Sequence, residues 1–206
     1  AVLGPHIMDS MRYFAGADVA WAHAHITQDG LEVTLDDVHE GNEGIGLIAG
    51  NSLAAYYVFA NGITAHFESR PGDTTAKVNS RWFGFEVHGT EGVIALRNSP
   101  NGEMYMHRHG MFIPDGRVQW ERVLIDGWEA IPAGERTHHS NVLIARELIQ
   151  AIEEDRDVVE ASSGRDARAA LEMIMAVHES QRLGTRVSYP LENRENPYKV
   201  WGQSQG

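Results

Sequence analysis

Asn61-Gly62 stands between two apolar-rich runs, Ser52–Ala60 and Ile63–Ser69. This dipeptide is the strongest short-range hairpin signal, because both positions of a two-residue hairpin loop require positive φ. It commits the middle of the chain to antiparallel pairing, and the flanking sequence repeats the pattern. Trp82–His88 and Val93–Arg97 surround Gly89-Thr90-Glu91-Gly92, and Glu103–His107 and Val118–Ile125 read as a further pair. Upstream, Val19, Trp21, His23 and His25 alternate with Ala20, Ala22, Ala24 and Ile26, a strand with two usable faces. Leu31, Val33 and Leu35 make a short second strand, and Asp36–Gly46 is an acidic, Gly-rich loop.

Helical periodicity is confined to the two ends. Ile7, Met8, Met11 and Phe14 fall on one face, with Pro5 in the first turn and Gly16 placed to stop the helix. Ala145, Leu148, Ile149 and Ile152 mark a helix of about three turns. Leu171, Ile174, Met175 and His178 mark a longer one, which opens near Ser163-Gly164-Arg165-Asp166 and ends near Gly184. Val187–Pro190 reads as a last short strand, and the polar tail from Glu192 as a surface wrap. The expected architecture is α+β: a predominantly antiparallel, open-faced β-sheet with helices packed on one face. We read residues 1–206 as one domain. A helix that begins at residue 5 reads as part of a longer protein.

Composition excludes several functions. The chain carries 17 Lys and Arg against 29 Asp and Glu, a net charge of −12 that repels phosphate backbones and argues against nucleic-acid partners. No apolar run reaches the roughly 20 residues of a membrane helix. Cysteine is absent, which removes disulfides, thiolate metal sites and Cys nucleophiles and fits a reducing cytoplasm. The only lysines are Lys77 and Lys199.

Candidate chemistry is sparse. Gly41-Asn42-Glu43-Gly44-Ile45-Gly46 has the glycines of a phosphate loop but leads into a strand rather than a helix, so it reads as an ordinary loop. His23/His25 and His107/His109 are i, i+2 pairs, each pointing to one strand face. A metal needs three or four converging ligands, so no metal site is expected. His6 sits in the first turn of the first helix, where an imidazole can serve as acid or base near neutral pH. The spacing alone favours a locally packed histidine.

Gly4-Pro5-His6-Ile7-Met8-Asp9, followed by Arg12-Tyr13-Phe14-Ala15-Gly16, resembles the segment that opens the C-terminal substrate domain of the Gfo/Idh/MocA family of nicotinamide-dependent sugar and cyclitol oxidoreductases. Three more stretches resemble that family, in family order: Tyr57–Gly62, Phe85–Ile94, and Ser163 through Leu191. The resemblance implies a two-domain enzyme whose Rossmann half, carrying the phosphate loop and a catalytic Lys, lies outside this chain. NAD or NADP would be bound mainly by that half, so the resemblance assigns no cofactor-binding residue here. The substrate would be a sugar, polyol or related hydroxyl compound, and His6 the one catalytic residue. Asp9 is read as structural, near Arg12. The open sheet would support a homodimer or homotetramer. Family members place an Asp four residues before the histidine. That position is Val2 here, which leaves room for a non-catalytic binding or scaffold domain that keeps the fold.

Overall fold

A computed structural model describes residues 4–71, 84–97, 102–109 and 116–203. Val2, Lys77 and Trp82 lie outside the described residues. In chain order the elements are α1 (Gly4–Ala15), β1 (Val19–Gln28), β2 (Leu31–Glu32), β3 (His39–Glu40), β4 (Leu47–Ile48), β5 (Ser52–Phe59), β6 (Thr64–Ser69), β7 (Gly84–Gly89), β8 (Gly92–Arg97), β9 (Glu103–Arg108), β10 (Glu121–Val123), α2 (Arg136–Glu153), α3 (Gly164–Leu183), β11 (Val187–Ser188) and α4 (Pro197–Gln203). The sheets are antiparallel and open, so the class is α+β as the sequence indicates. The residues group into two compact units, one from Ala1–Gly72 with Gly164–Gly206, the other from Asp73–Ser163. The strands accordingly form two principal sheets, where the periodicity alone suggested one. No helix among the described residues is long and apolar enough to cross a membrane.

In the first unit the sheet runs β11-β1-β5-β6, with β2 also on β1. One face is covered: Ala22, Ala24 and Ile26 of β1 and Ala55, Tyr57 and Phe59 of β5 pack with Ala170, Met173, Ala176 and Val177 of α3. Tyr57 is fully buried and its hydroxyl donates to the Met173 carbonyl at 3.1 Å. The strict alternation read along β1 breaks at its start. A bulge between Val19 and Trp21 turns Val19 into the core, while Trp21 stays with His23 and His25 on the other face. The stripe on α3 is offset too: Leu171 is exposed, and Ala170, Met173 and Val177 line the buried side.

The β5–β6 hairpin forms where Asn61-Gly62 requires it, but with different turn chemistry. Of those two residues only Gly62 has positive φ, at 86°. The Gly62 N–H donates to the Phe59 carbonyl, and the Phe59 N–H to the Ile63 carbonyl, each at 2.9 Å, so the loop is Ala60-Asn61-Gly62. That is the longer hairpin loop, with a single left-handed residue. The Asn61 amide is thereby free to donate at 2.8 Å to the carbonyl of Ala15, the last residue of α1. One side chain thus caps a helix end that would otherwise leave a carbonyl unpaired.

Pairing along the outer edge of β1 is interrupted. Trp21 and Ala22 pair with β11, and Thr27 and Gln28 with β2. Between them, the backbone N–H groups of Ala24 and Ile26 donate to Ser180 Oγ at 3.0 Å and Gln181 Oε1 at 2.6 Å. Buried backbone donors need partners, and the end of α3 supplies them from its side chains. The tail departs from a surface wrap: Pro197 and Tyr198 are buried, with Tyr198 in the core. The His178 Nδ1 lies 3.0 Å from the Tyr198 hydroxyl, and burial holds its imidazole down at about 4.

The second unit is the meander β7-β8-β9-β10 with α2. Gly89 pairs with Gly92 around Thr90-Glu91. At Gly92, φ is 150°, and a Cβ there would lie 2.2 Å from the His107 carbonyl oxygen on β9. Helix α2 spans 18 residues, longer than the apolar spacing suggested. Within it, Glu147 accepts the N–H of Val159 at 2.7 Å and pairs with Arg156 at 2.9 Å, both residues beyond the helix end. Those partners, Arg156 foremost, hold its carboxyl down at about 2.

Candidate functional site

Helix α1 is fixed on the first unit by its apolar side. Ile7, Met8 and Ala15 are buried, and a Cβ at Gly4 would sit 3.2 Å from Ile174 of α3, so the helix start lies close against α3. Arg12 fixes the other end. Its guanidinium lies 2.6 Å from Asp18 and 3.0 Å from Asp166, and 3.9 Å from Asp9, which accords with the structural reading of Asp9.

His6 is exposed in the first turn. Ser10 and Tyr13, one and two turns on, continue its face. The Ser10 hydroxyl donates to the His6 carbonyl at 2.8 Å, and Tyr13 is 78 % exposed. An anchored helix thus carries an imidazole on its solvent side and, two turns further along the same face, a phenol, groups able to exchange protons with, or hydrogen-bond to, a hydroxylated ligand.

The histidine pairs occupy other surfaces. His23 and His25 are exposed on the uncovered face of the first sheet. Opposite them on β5, Tyr56 lies 5.6 Å from Trp21 and 4.7 Å from His66 by ring centroids. Arg186 stacks over Trp21 at 5.4 Å. His107 is buried in the second unit, 4.8 Å from His109 and 5.3 Å from Trp120 by ring centroids, with Nε2 3.2 Å from the Val118 carbonyl. Among the described residues no three His, Asp or Glu side chains converge as a metal site. The Gly41–Gly46 segment closes a small β-hairpin: the Gly41 N–H donates to the Gly46 carbonyl at 2.8 Å, between paired β3 and β4. It opens no α-helix, so it lacks the helix N-terminus that holds a dinucleotide's phosphates.

The roles of Ser180 and Gln181 toward β1, and of Asn61 toward the end of α1, escaped the reading from sequence. Each residue is polar beside an apolar run, and its partner is a backbone group distant in sequence.

These features define an open-faced α+β fold, and that fold is similar to one found in part of several solved sugar oxidoreductases. Levoglucosan dehydrogenase in complex with NADH and levoglucosan superposes with a TM-score of 0.62 at 20 % identity, over 91 % of this chain and 49 % of that one. Aldose-aldose oxidoreductase from Caulobacter crescentus, complexed with glycerol, gives 0.55 at 15 % identity over 90 % and 45 %. An oxidoreductase from Agrobacterium radiobacter in complex with NAD+, L-tartaric acid and magnesium gives 0.55 at 21 % identity over 90 % and 47 %. The chain spans about half the length of these structures. No family model and no curated protein sequence matches it.

Proposed function

We propose that residues 1–206 form one substrate-binding and oligomerisation domain of an NAD(P)-dependent oxidoreductase acting on a sugar, polyol or related hydroxyl compound. The observation that carries this reading is the likeness of nearly the whole chain to about half of sugar oxidoreductases crystallised with NADH or with glycerol. The described residues do not fit a dinucleotide's phosphates, since the one glycine-rich segment closes a hairpin. The nicotinamide's chemistry therefore belongs to another part of the enzyme. This chain's share is the proton: an imidazole nitrogen of His6 takes it from, or returns it to, the substrate hydroxyl. The uncovered sheet face, with Trp21 and Tyr56 partly exposed, is the surface through which two or four copies join. The cysteine-free composition supports a cytoplasmic setting.

The test is His6→Ala in the full-length enzyme. His6 points to solvent, so the melting temperature is expected to hold while kcat falls roughly 10²–10⁴-fold. Unchanged kcat would remove His6 from the mechanism. A second reading, a binding or scaffold domain without chemistry, is favoured by Val2 standing where the resemblance expects an acid. Full-length protein that binds a polyol but reduces no nicotinamide would support it.

A further inference from the structure

The uncovered face of β11-β1-β5-β6 differs in charge from the chain that bears it. The whole sequence has a net charge of −12, so two copies repel at long range. On the strands of this face Glu68 is the one carboxylate among the described residues of β1, β5 and β6, and Arg70 neutralises it at 3.1 Å. The remaining groups there that gain a positive charge on protonation are imidazoles. His23 and His66 flank Tyr56 in one row across three strands, and His25 stands in the next row with Ala54 and Glu68. Three histidines on a face otherwise built from Trp21, Tyr56, Val58 and small residues form a surface that is neutral only when they are unprotonated.

One of the three is also fixed in orientation. The Ser180 hydroxyl donates to the Thr185 carbonyl at 2.6 Å and accepts the Ala24 N–H at 3.0 Å. The hydroxyl's single proton is thereby used, so the contact of 3.3 Å between Ser180 Oγ and His23 Nδ1 requires that Nδ1 donate. The neutral ring therefore presents Nε2 as an acceptor away from α3, and protonation adds an N–H and a charge at that atom.

Resting on the reading that this face joins copies of the chain, we infer that the self-association is pH-gated: His23, His25 and His66 are neutral in the joined state, and their protonation separates the copies. The other charged and titratable groups on or bordering the face do not cancel the new charge. Glu68 is paired with Arg70, Arg186 is itself cationic over Trp21, and Glu32 of β2, which accepts the Gln181 amide at 3.3 Å, is one carboxylate against three imidazoles. Protonation of three imidazoles on each copy thus sets like charges facing each other across the shared surface. Each protonation excluded from the joined state weakens association, and several acting together raise the dissociation constant by at least ~100-fold as the pH falls.

The experiment is sedimentation velocity of the 206-residue chain at about pH 7.5 and about pH 5.5, with far-ultraviolet circular dichroism at both values to follow the fold. It is run beside the triple variant His23→Gln, His25→Gln, His66→Gln. The expected result is an oligomer at the higher pH that dissociates at the lower with its dichroism intact, and a variant associated at both. An oligomer insensitive to pH, or a variant that dissociates as the parent does, overturns the gating and leaves the interface standing. A parent monomeric at both values in the tens of micromolar overturns the interface and the gating with it.

Discussion

Gln181 Oε1 accepts the backbone N–H of Ile26 at 2.6 Å, a buried bond between residues 155 positions apart. With the neighbouring bond from Ala24 to Ser180, it ties the end of α3 to the unpaired edge of β1. The helix thereby stands in for a strand over the gap between β11 and β2. This join sets how α3 lies across the sheet, and hence where α1, packed on α3, carries His6.

Replacing Gln181 with Leu keeps the volume and removes the acceptor. The Ile26 N–H is then buried without a partner, which costs ~1–3 kcal/mol. Urea unfolding followed by tryptophan fluorescence reads the loss as a lower midpoint. An unchanged midpoint would show that water replaces the amide.

Gly92 is expected to tolerate no side chain. A methyl group there meets the His107 carbonyl oxygen at 2.2 Å, in a backbone conformation with φ of 150° that L-residues rarely adopt. Gly92→Ala should destabilise the β7–β9 meander by at least ~2 kcal/mol. Amide exchange in β7, β8 and β9 would report it as lost protection, and retained protection would refute the clash.

Acid should unfold the protein partly through His178. Its pKa is lowered in the folded state, to about 4 from an ordinary 6.5, first by burial. The unfolded chain therefore binds the proton more readily, and stability present above pH 6.5 drains away as pH falls toward 4. Thermal melts across that interval should show a falling midpoint, with a shallower slope in His178→Gln. A slope the variant leaves untouched would assign the acid response to other groups.

The 206-residue chain should bind NAD(H) no tighter than about millimolar, because Gly41–Gly46 closes a hairpin and presents no α-helix N-terminus to a pyrophosphate. Isothermal titration calorimetry is the check, and a micromolar constant would contradict it.

Much of the architecture was legible in local sequence. Asn61-Gly62, Gly89–Gly92 and the alternation along β1 set strands and hairpins, since turn conformation and side-chain period are properties of a few adjacent residues. The helix around Ile7 and Met8 and its stop at Gly16 were equally local, and His6 could be singled out from its place in that helix. What the tertiary structure alone decided lies between distant residues: the division of the strands into two sheets, the inward turn of Val19, the burial of Tyr198 and the rotation of α3 that buries Met173 in place of Leu171. It also decided that Ser180 and Gln181 serve the backbone of β1, and that Asn61 caps α1. Periodicity marks which residues seek burial. Which orphaned backbone group a polar side chain will meet depends on how elements far apart in the chain pack together, and no local pattern encodes that.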